Sequence, residues 1–276
     1  MNIVTFPGLN LSFQISRIAF QIGSIKIYWY AILIALSFLI AIVTLKKECS
    51  KNKINYEDIL EIMIIAIPIA IISARLYYVI FNLDYYLKNP LEILNIKNGG
   101  LAIYGGIIGA CITIIICAKK KKIKILKICD MCVPYLSLGQ SIGRWGNFFN
   151  IEAHGTETNN LFRMGIIENR KYIEVHPTFL YESVCTFILF FILLYIRSYK
   201  KYDGQLTLIY LFFYSGIRMI IEGLRTDSLM LGNIRISQLI SIIIFCITLL
   251  ILICIKTKNK IRQINCKRGA NVIRYK

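Results

Sequence analysis

The fold class that this 276-residue chain predicts is an all-α polytopic membrane protein of about seven transmembrane helices. Three observations carry the prediction. The chain is 57% hydrophobic, with a mean hydropathy of +0.61, which is too apolar for a soluble domain. Apolar stretches of about 20 residues, the length that crosses a bilayer core, recur along it. Its basic residues crowd into alternate loops between those stretches.

The spans read, in order, as residues 28–45, 59–81, 101–118, 128–149, 177–196, 205–224 and 236–255. Nothing before Tyr28 has the basic start, apolar core and small-residue cleavage site of a signal peptide, so the first span doubles as the insertion signal. Gly105 and Gly109 form a G-x-x-x-G in the third span, a spacing that lets membrane helices approach closely. The fourth is the least apolar, carrying Asp130, Gln140 and Arg144. Between it and the fifth lies a polar segment, residues 150–176, with Glu152, His154, Gly155, Arg163 and Arg170. His176 and Pro177 open the fifth span, proline being suited to the first helical turn.

A net charge of +18 could point to nucleic acid, but its distribution argues against that. The basic residues that crowd together are Lys46, Lys47, Lys51 and Lys53, then Lys119 to Lys122 with Lys124 and Lys127, then Arg197, Lys200 and Lys201. Eight more follow in residues 256–276, which hold no acidic residue. In a seven-span chain all of these fall on one side, which the positive-inside rule makes cytoplasmic. The expected organisation is an external N-terminal segment (1–27), a seven-helix transmembrane domain (28–255) and a basic cytoplasmic tail (256–276). That tail either touches anionic headgroups or is simply solvated. The nine cysteines are scattered and mostly apolar in setting, so no disulfide framework follows; Cys129 and Cys132 have no second pair or flanking histidine to make a metal or redox site.

Polar residues within the spans fall at one depth. Arg75 lies about six residues, or ~9 Å, below the outer end of its span. Arg144 and Arg218 sit at similar depth, and Tyr30, Tyr104 and Glu182 lie a short way below the outer starts of theirs. An intramembrane guanidinium costs several kcal/mol and keeps its charge, so it faces a cavity, a counter-ion or an anionic ligand. For Arg144 alone, a structural ion pair between helices and a functional site are both open, and snorkelling also draws Arg and Tyr toward helix ends. Helical geometry narrows the choice. Gln140, Arg144 and Asn147 share about 60° of arc, with Gly139, Gly143 and Gly146 on the neighbouring face for close packing. Tyr214, Arg218, Glu222 and Arg225 form a stripe about 80° wide, in which Glu222 is spaced to pair with Arg218 and Arg225.

Taken together, these strings resemble the bacterial prolipoprotein diacylglyceryl transferases. The resemblance runs through Trp29-Tyr30, Ala74-Arg75-Leu76-Tyr77-Tyr78, the run from Gly99 to Gly106, Gly143-Arg144-Trp145-Gly146-Asn147 through Gly155, His176-Pro177 to Glu182, and Tyr214, Arg218, Glu222 and Arg225. It implies a multi-pass enzyme of the bacterial cytoplasmic (inner) membrane with its active site toward the outer leaflet. Such an enzyme moves the diacylglyceryl group of phosphatidylglycerol to the lipobox cysteine thiol in a prolipoprotein signal peptide, releasing glycerol phosphate. No metal or dissociable cofactor is implied, and no nucleic acid.

The resemblance assigns Arg144 to phosphatidylglycerol binding and Arg218 to catalysis. The expected catalytic set is Arg218, Arg144 and Tyr104, and the substrate-binding set is Arg144, Asn147, Tyr30, Gly155, Tyr214, Arg75, Glu152 and Glu222. Tyr104 is a departure, because many family members have a histidine there, proposed as the base for the thiol. Tyrosine, with an ordinary pKa near 10, is a poor base near pH 7. Either the thiol is deprotonated by electropositive surroundings or Tyr104 orients and hydrogen-bonds, and the histidine role does not transfer. Among rival readings, a secondary transporter expects inverted repeats and a midplane site, whereas the chain has no repeat and its charges lie in one leaflet. A non-catalytic scaffold leaves the shared polar layer unexplained, and an intramembrane metalloprotease lacks H-E-x-x-H.

Overall fold

The computed structural model describes residues 2–95, 99–232 and 234–273, with side chains, other than that of Leu231, as far as Lys258. The long helices are α1 (Trp29–Asn52), α2 (Tyr56–Ile80), α4 (Ile103–Lys120), α5 (Ile125–Asn150), α6 (Thr178–Arg197), α7 (Gln205–Leu224) and α8 (Ile236–Ile273), and a short α3 (Leu83–Lys88) follows α2. Six of the long ones are apolar enough to cross a membrane, so the chain is a multi-pass helical membrane protein. The exception is α5, whose 26 residues have ample length but include Lys127, Asp130 and Arg144. The last helix continues past the expected end at residue 255, and most side chains of the basic tail lie outside the described residues.

The chain divides into two compact units, residues 1–41 with 133–276, and residues 42–132. In the first unit, four strands form an antiparallel sheet in the order β2-β1-β5-β6: β1 (Asn2–Phe6), β2 (Leu11–Ile15), β5 (Met164–Glu168) and β6 (Lys171–Val175). Strand β1 thereby joins the N-terminal segment to the segment between α5 and α6, with Thr5 opposite Gly165. Val4, Phe6, Met164, Ile166 and Val175 from the sheet bury against Phe148 of α5 and Phe179 of α6, so the sheet caps the ends of these two helices. Two smaller hairpins, β3 (Ile18–Ile22) with β4 (Ile25–Tyr28) and β7 (Met230–Leu231) with β8 (Ile234–Arg235), lead into α1 and α8.

Deeper in this unit α5 and α6 are fastened by side chains that bond across the helix pair. Ser141 Oγ donates to the Ser183 carbonyl and Ser183 Oγ to the Ser141 carbonyl, each at 2.9 Å, while Ser137 Oγ donates to the Thr186 carbonyl at 2.8 Å. Small hydroxyl residues let backbones approach while satisfying the bonds that lipid cannot. The expected glycine face of α5 is only partly used. Gly146 packs against the Tyr30 ring and Gly139 is in ordinary contact with Ser37, but around Gly143 there is open space.

The second unit is built on α2 and α4. Asn55 caps α2 by accepting from the Glu57 N–H at 3.1 Å. Gly105 and Gly109 of α4 lie against Ser73, Ala74 and Tyr77, where a β-carbon would collide with α2. At the other end Lys121 bonds both Asp58 and Glu61 at 2.6 Å, and these bonds raise its ammonium pKa above the ordinary lysine value.

Candidate functional site

The serine clasp sets up the centre of the first unit. Arg144 lies three residues after Ser141 on α5, and Glu182 lies one residue before Ser183 on α6, so fastening the serines brings arginine and carboxylate face to face. Arg144 Nη2 donates to Glu182 Oε1 at 2.6 Å. The other carboxylate oxygen, Glu182 Oε2, accepts from Arg218 Nη1 of α7 at 2.9 Å. One buried carboxylate, with 2% of its side chain exposed, thus holds two guanidinium groups.

The remaining neighbours extend the network. Arg218 Nη2 bonds Glu222 one turn further along α7, and Tyr214 OH donates to Glu182 Oε1 at 3.4 Å. The Tyr214 ring stacks on Tyr210, whose hydroxyl donates to Gln140 at 3.0 Å. Arg144 Nη1 donates to Asn147 Oδ1 at 3.3 Å, and Asn147 Nδ2 to Glu152 Oε1 at 2.9 Å. Glu152 also accepts from Asn150 at 3.1 Å. The turn that holds Glu152 is strained, because Ile151 and Ala153 on either side of it have φ of 53° and 58°, a region that β-branched isoleucine rarely enters.

Arg144, Asn147, Glu152, Tyr214, Arg218 and Glu222 therefore form one connected cluster, and Tyr30 borders it through its contact with Gly146. Gly155 is a joint instead. It bridges to Arg225, its N–H bonds the His176 carbonyl at 2.9 Å, and an added β-carbon would crowd His176, Leu224 and Thr178. The expected pairing of Glu222 with both arginines is half realised. Arg225 turns outward to a bidentate bond with Asp227, at 2.9 and 2.7 Å. Burial alone would raise the Asp227 pKa, but the hydrogen bonds and charge of Arg225 outweigh it and hold the carboxyl below its ordinary value.

Tyr104 and Arg75 belong to the second unit. Tyr104 is the second residue of α4 and is half-buried. Arg75 was expected to bind substrate, but it is 6% exposed and all of its N–H directions are taken. Nε donates to the Ile93 carbonyl, Nη1 to Gly99 and Gly100, and Nη2 to Glu92 and Asn95, at 2.6–3.0 Å. Five donors meet five carbonyls, leaving none for a phosphate. Tyr86 stands 5.2 Å from the guanidinium carbon, a cation–π distance.

Glu182 is the functional candidate missing from the expected site. Its depth and its place after His176-Pro177 marked it in the sequence, but its double partnership depends on three helices and has no local signature. Chemically the cluster offers two fixed guanidinium groups, on a common carboxylate, near the ends of α5 and α7. A phosphate has the same forked pair of oxygens as that carboxylate and is a natural bidentate partner for arginine.

Residues 17–254 match the family described as prolipoprotein diacylglyceryl transferase. The chain is similar to the phosphatidylglycerol–prolipoprotein diacylglyceryl transferase of Finegoldia magna, at 49% identity over 229 residues that span 83% of this chain and 91% of that one. Proteins with the same description from Bacillus cereus and Bacillus mycoides are each 45% identical over 248 residues, spanning 87% of this chain and 92% of theirs.

Proposed function

This chain belongs to the prolipoprotein diacylglyceryl transferase family, and from that premise we propose that it transfers the diacylglyceryl group of phosphatidylglycerol to the lipobox cysteine of prolipoproteins. The observation that carries the reading is the pair of arginines on the single carboxylate of Glu182. Phosphatidylglycerol presents a phosphodiester at headgroup depth. As the thiolate sulfur attacks the glycerol carbon, the carbon–oxygen bond to phosphate breaks and negative charge grows on the departing glycerol phosphate. Guanidinium groups already fixed in a poorly solvated site stabilise that charge without first having to reorganise. Arg144 binds the phosphodiester and Arg218 meets the developing charge, while Asn147, Tyr214, Glu152 and Glu222 hold these two in line. Tyr30 shapes the edge of the site, Gly155 keeps the outer segment close, and Arg75 acts at a distance by ordering its own loop. Tyr104 orients and hydrogen-bonds, and electropositive surroundings favour the thiolate.

The reaction takes place at the outer leaflet of the bacterial inner membrane. Residues 1–27 are external, residues 28–255 form the catalytic domain and residues 256–276 are cytoplasmic. Pairing of β1 with β5 supports this topology, because it requires the N-terminal segment and residues 150–176 to share a side. An even number of crossings must separate them, which is met when α5 spans the membrane despite its polar residues. An impermeant thiol reagent on intact cells, in a background without reactive native cysteines, should label a cysteine introduced at Asn159 and spare one at Lys122; the reverse pattern contradicts the orientation. For the activity itself, the purified chain as sole enzyme should move radiolabel from the acyl chains of phosphatidylglycerol to a lipobox peptide. A peptide that stays unlabelled in vesicles of that lipid refutes the reading.

A further inference from the structure

Charge balance within the cluster singles out Glu182. Two arginines, Arg144 and Arg218, bond two carboxylates, Glu182 and Glu222, and Glu152, tied to Arg144 through Asn147, adds a further negative charge, so the cluster has no positive charge in excess. A phosphodiester monoanion entering a site of low dielectric would add to that negative charge and find the guanidinium donors occupied, so it can bind only by displacing a carboxylate from them. Glu222 lies on the same helix as Arg218, one turn away, and touches that arginine alone of the two. Glu182 spans both, with one oxygen on each guanidinium, which is the arrangement that two non-bridging phosphate oxygens would adopt. Without an anion between them the two guanidinium groups would repel one another where water screens poorly.

We propose that Glu182 is a positioning residue that holds Arg144 and Arg218 at phosphate spacing in the empty site and yields them to the incoming phosphodiester. This rests on the reading of the cluster as the phosphatidylglycerol site. Glu182 is then a built-in competitor. It keeps the arginines arranged, and lipid affinity becomes the difference between two anions contending for the same donors. The Ser141–Ser183 clasp beside it keeps the backbone in place while the side chain changes partners.

The two roles that an ion pair can have predict opposite signs for Glu182→Gln, which preserves side-chain shape and removes the charge. As a competitor, Glu182 weakens anion binding, so the variant should bind glycerol phosphate about tenfold more tightly or better, a gain of ~1.4 kcal/mol. Its KM for phosphatidylglycerol should fall without a matching rise in kcat. A purely structural pair predicts weaker or unchanged binding and an unchanged or higher KM, which would overturn the proposal. The measurement is a thermal-shift titration of the full-length protein in detergent with glycerol phosphate, beside transfer kinetics in vesicles. Should Glu182→Gln be destabilised, glycerol phosphate should restore its melting temperature toward wild type by replacing the missing anion. Failure to restore it contradicts the proposal. If anion binding strengthens while the wild-type chain labels no lipobox peptide, the functional reading fails and the role of Glu182 as competitor stands.

Discussion

Arg75 and the pair Arg144 and Arg218 illustrate two ways of keeping an arginine within membrane helices. Arg75 is saturated by five backbone carbonyls, neutral dipoles fixed in the chain that no ligand can replace without unravelling the loop. Arg144 and Arg218 are held by side-chain carboxylates, chiefly Glu182, which another anion can replace. The residue type and its position near the C-terminal end of a helix are the same in both regions. What differs is the kind of partner, backbone carbonyl or side-chain carboxylate, and on the proposed reading this separates an arginine that builds the protein from one that acts on a substrate.

The largest effect should follow from removing the exchangeable arginines. Arg144→Gln and Arg218→Gln should each lower transfer by at least ~10²- to 10³-fold, the usual loss for a group that stabilises charge in the transition state, with the folded protein still in the membrane. Initial rates on purified, reconstituted variants measure this, and a normal rate for either variant breaks the comparison at once. Next is Arg75→Lys. Lysine has three donors and no planar fork, so the variant should lose roughly 3 kcal/mol or more of stability as several charged hydrogen bonds disappear. Thermal unfolding reads that loss; a stable Arg75→Lys protein with weakened affinity for lipid would put Arg75 in the same class as the other two.

How far these roles were legible in the sequence follows from the range of the interactions. Apolar runs disclosed the long helices, because burial in lipid acts residue by residue and leaves a local signal. Helical periodicity also put Gln140, Arg144 and Asn147 on one face, and Tyr214, Arg218 and Glu222 on another. The pairing of Thr5 with Gly165 had no such signal, since it joins segments separated by most of the chain. The Ser141–Ser183 clasp was equally silent, because it forms only when two helices meet and neither serine has a local signature. Arg75 illustrates the limit most directly, because its depth matched that of Arg144 while its partners are loop carbonyls invisible to any pattern of side chains.

A smaller effect is expected at Tyr104. If it orients and hydrogen-bonds, Tyr104→Phe should slow transfer by roughly 10- to 100-fold, or ~1.4–2.7 kcal/mol for one lost polar contact, and Tyr104→His should be tolerated. Rates measured from about pH 5.5 to 9 distinguish this from a base role, which demands near-complete loss with Phe and a lower pH limb that moves toward about 6.5 with His. The smallest effect is at the rim, where Asp227 pairs with Arg225. A carboxyl with a lowered pKa contributes stability above its unfolded value, near 3.9, and loses that contribution as pH falls through the folded value. Asp227→Asn should therefore melt slightly below wild type at neutral pH, and the gap should close as pH drops below about 4. A gap independent of pH would show that the pair contributes no charge-linked stability.

Exchangeability itself can be measured by comparing the thermal response of three full-length proteins to glycerol phosphate. Wild type should gain melting temperature as the anion is added. Arg75→Lys should start lower and keep that gain, whereas Arg218→Gln, which leaves the buried Glu182 and Glu222 short of a counter-charge, should also start lower but lose the gain. Retention of the gain by Arg218→Gln together with its loss in Arg75→Lys would contradict the account.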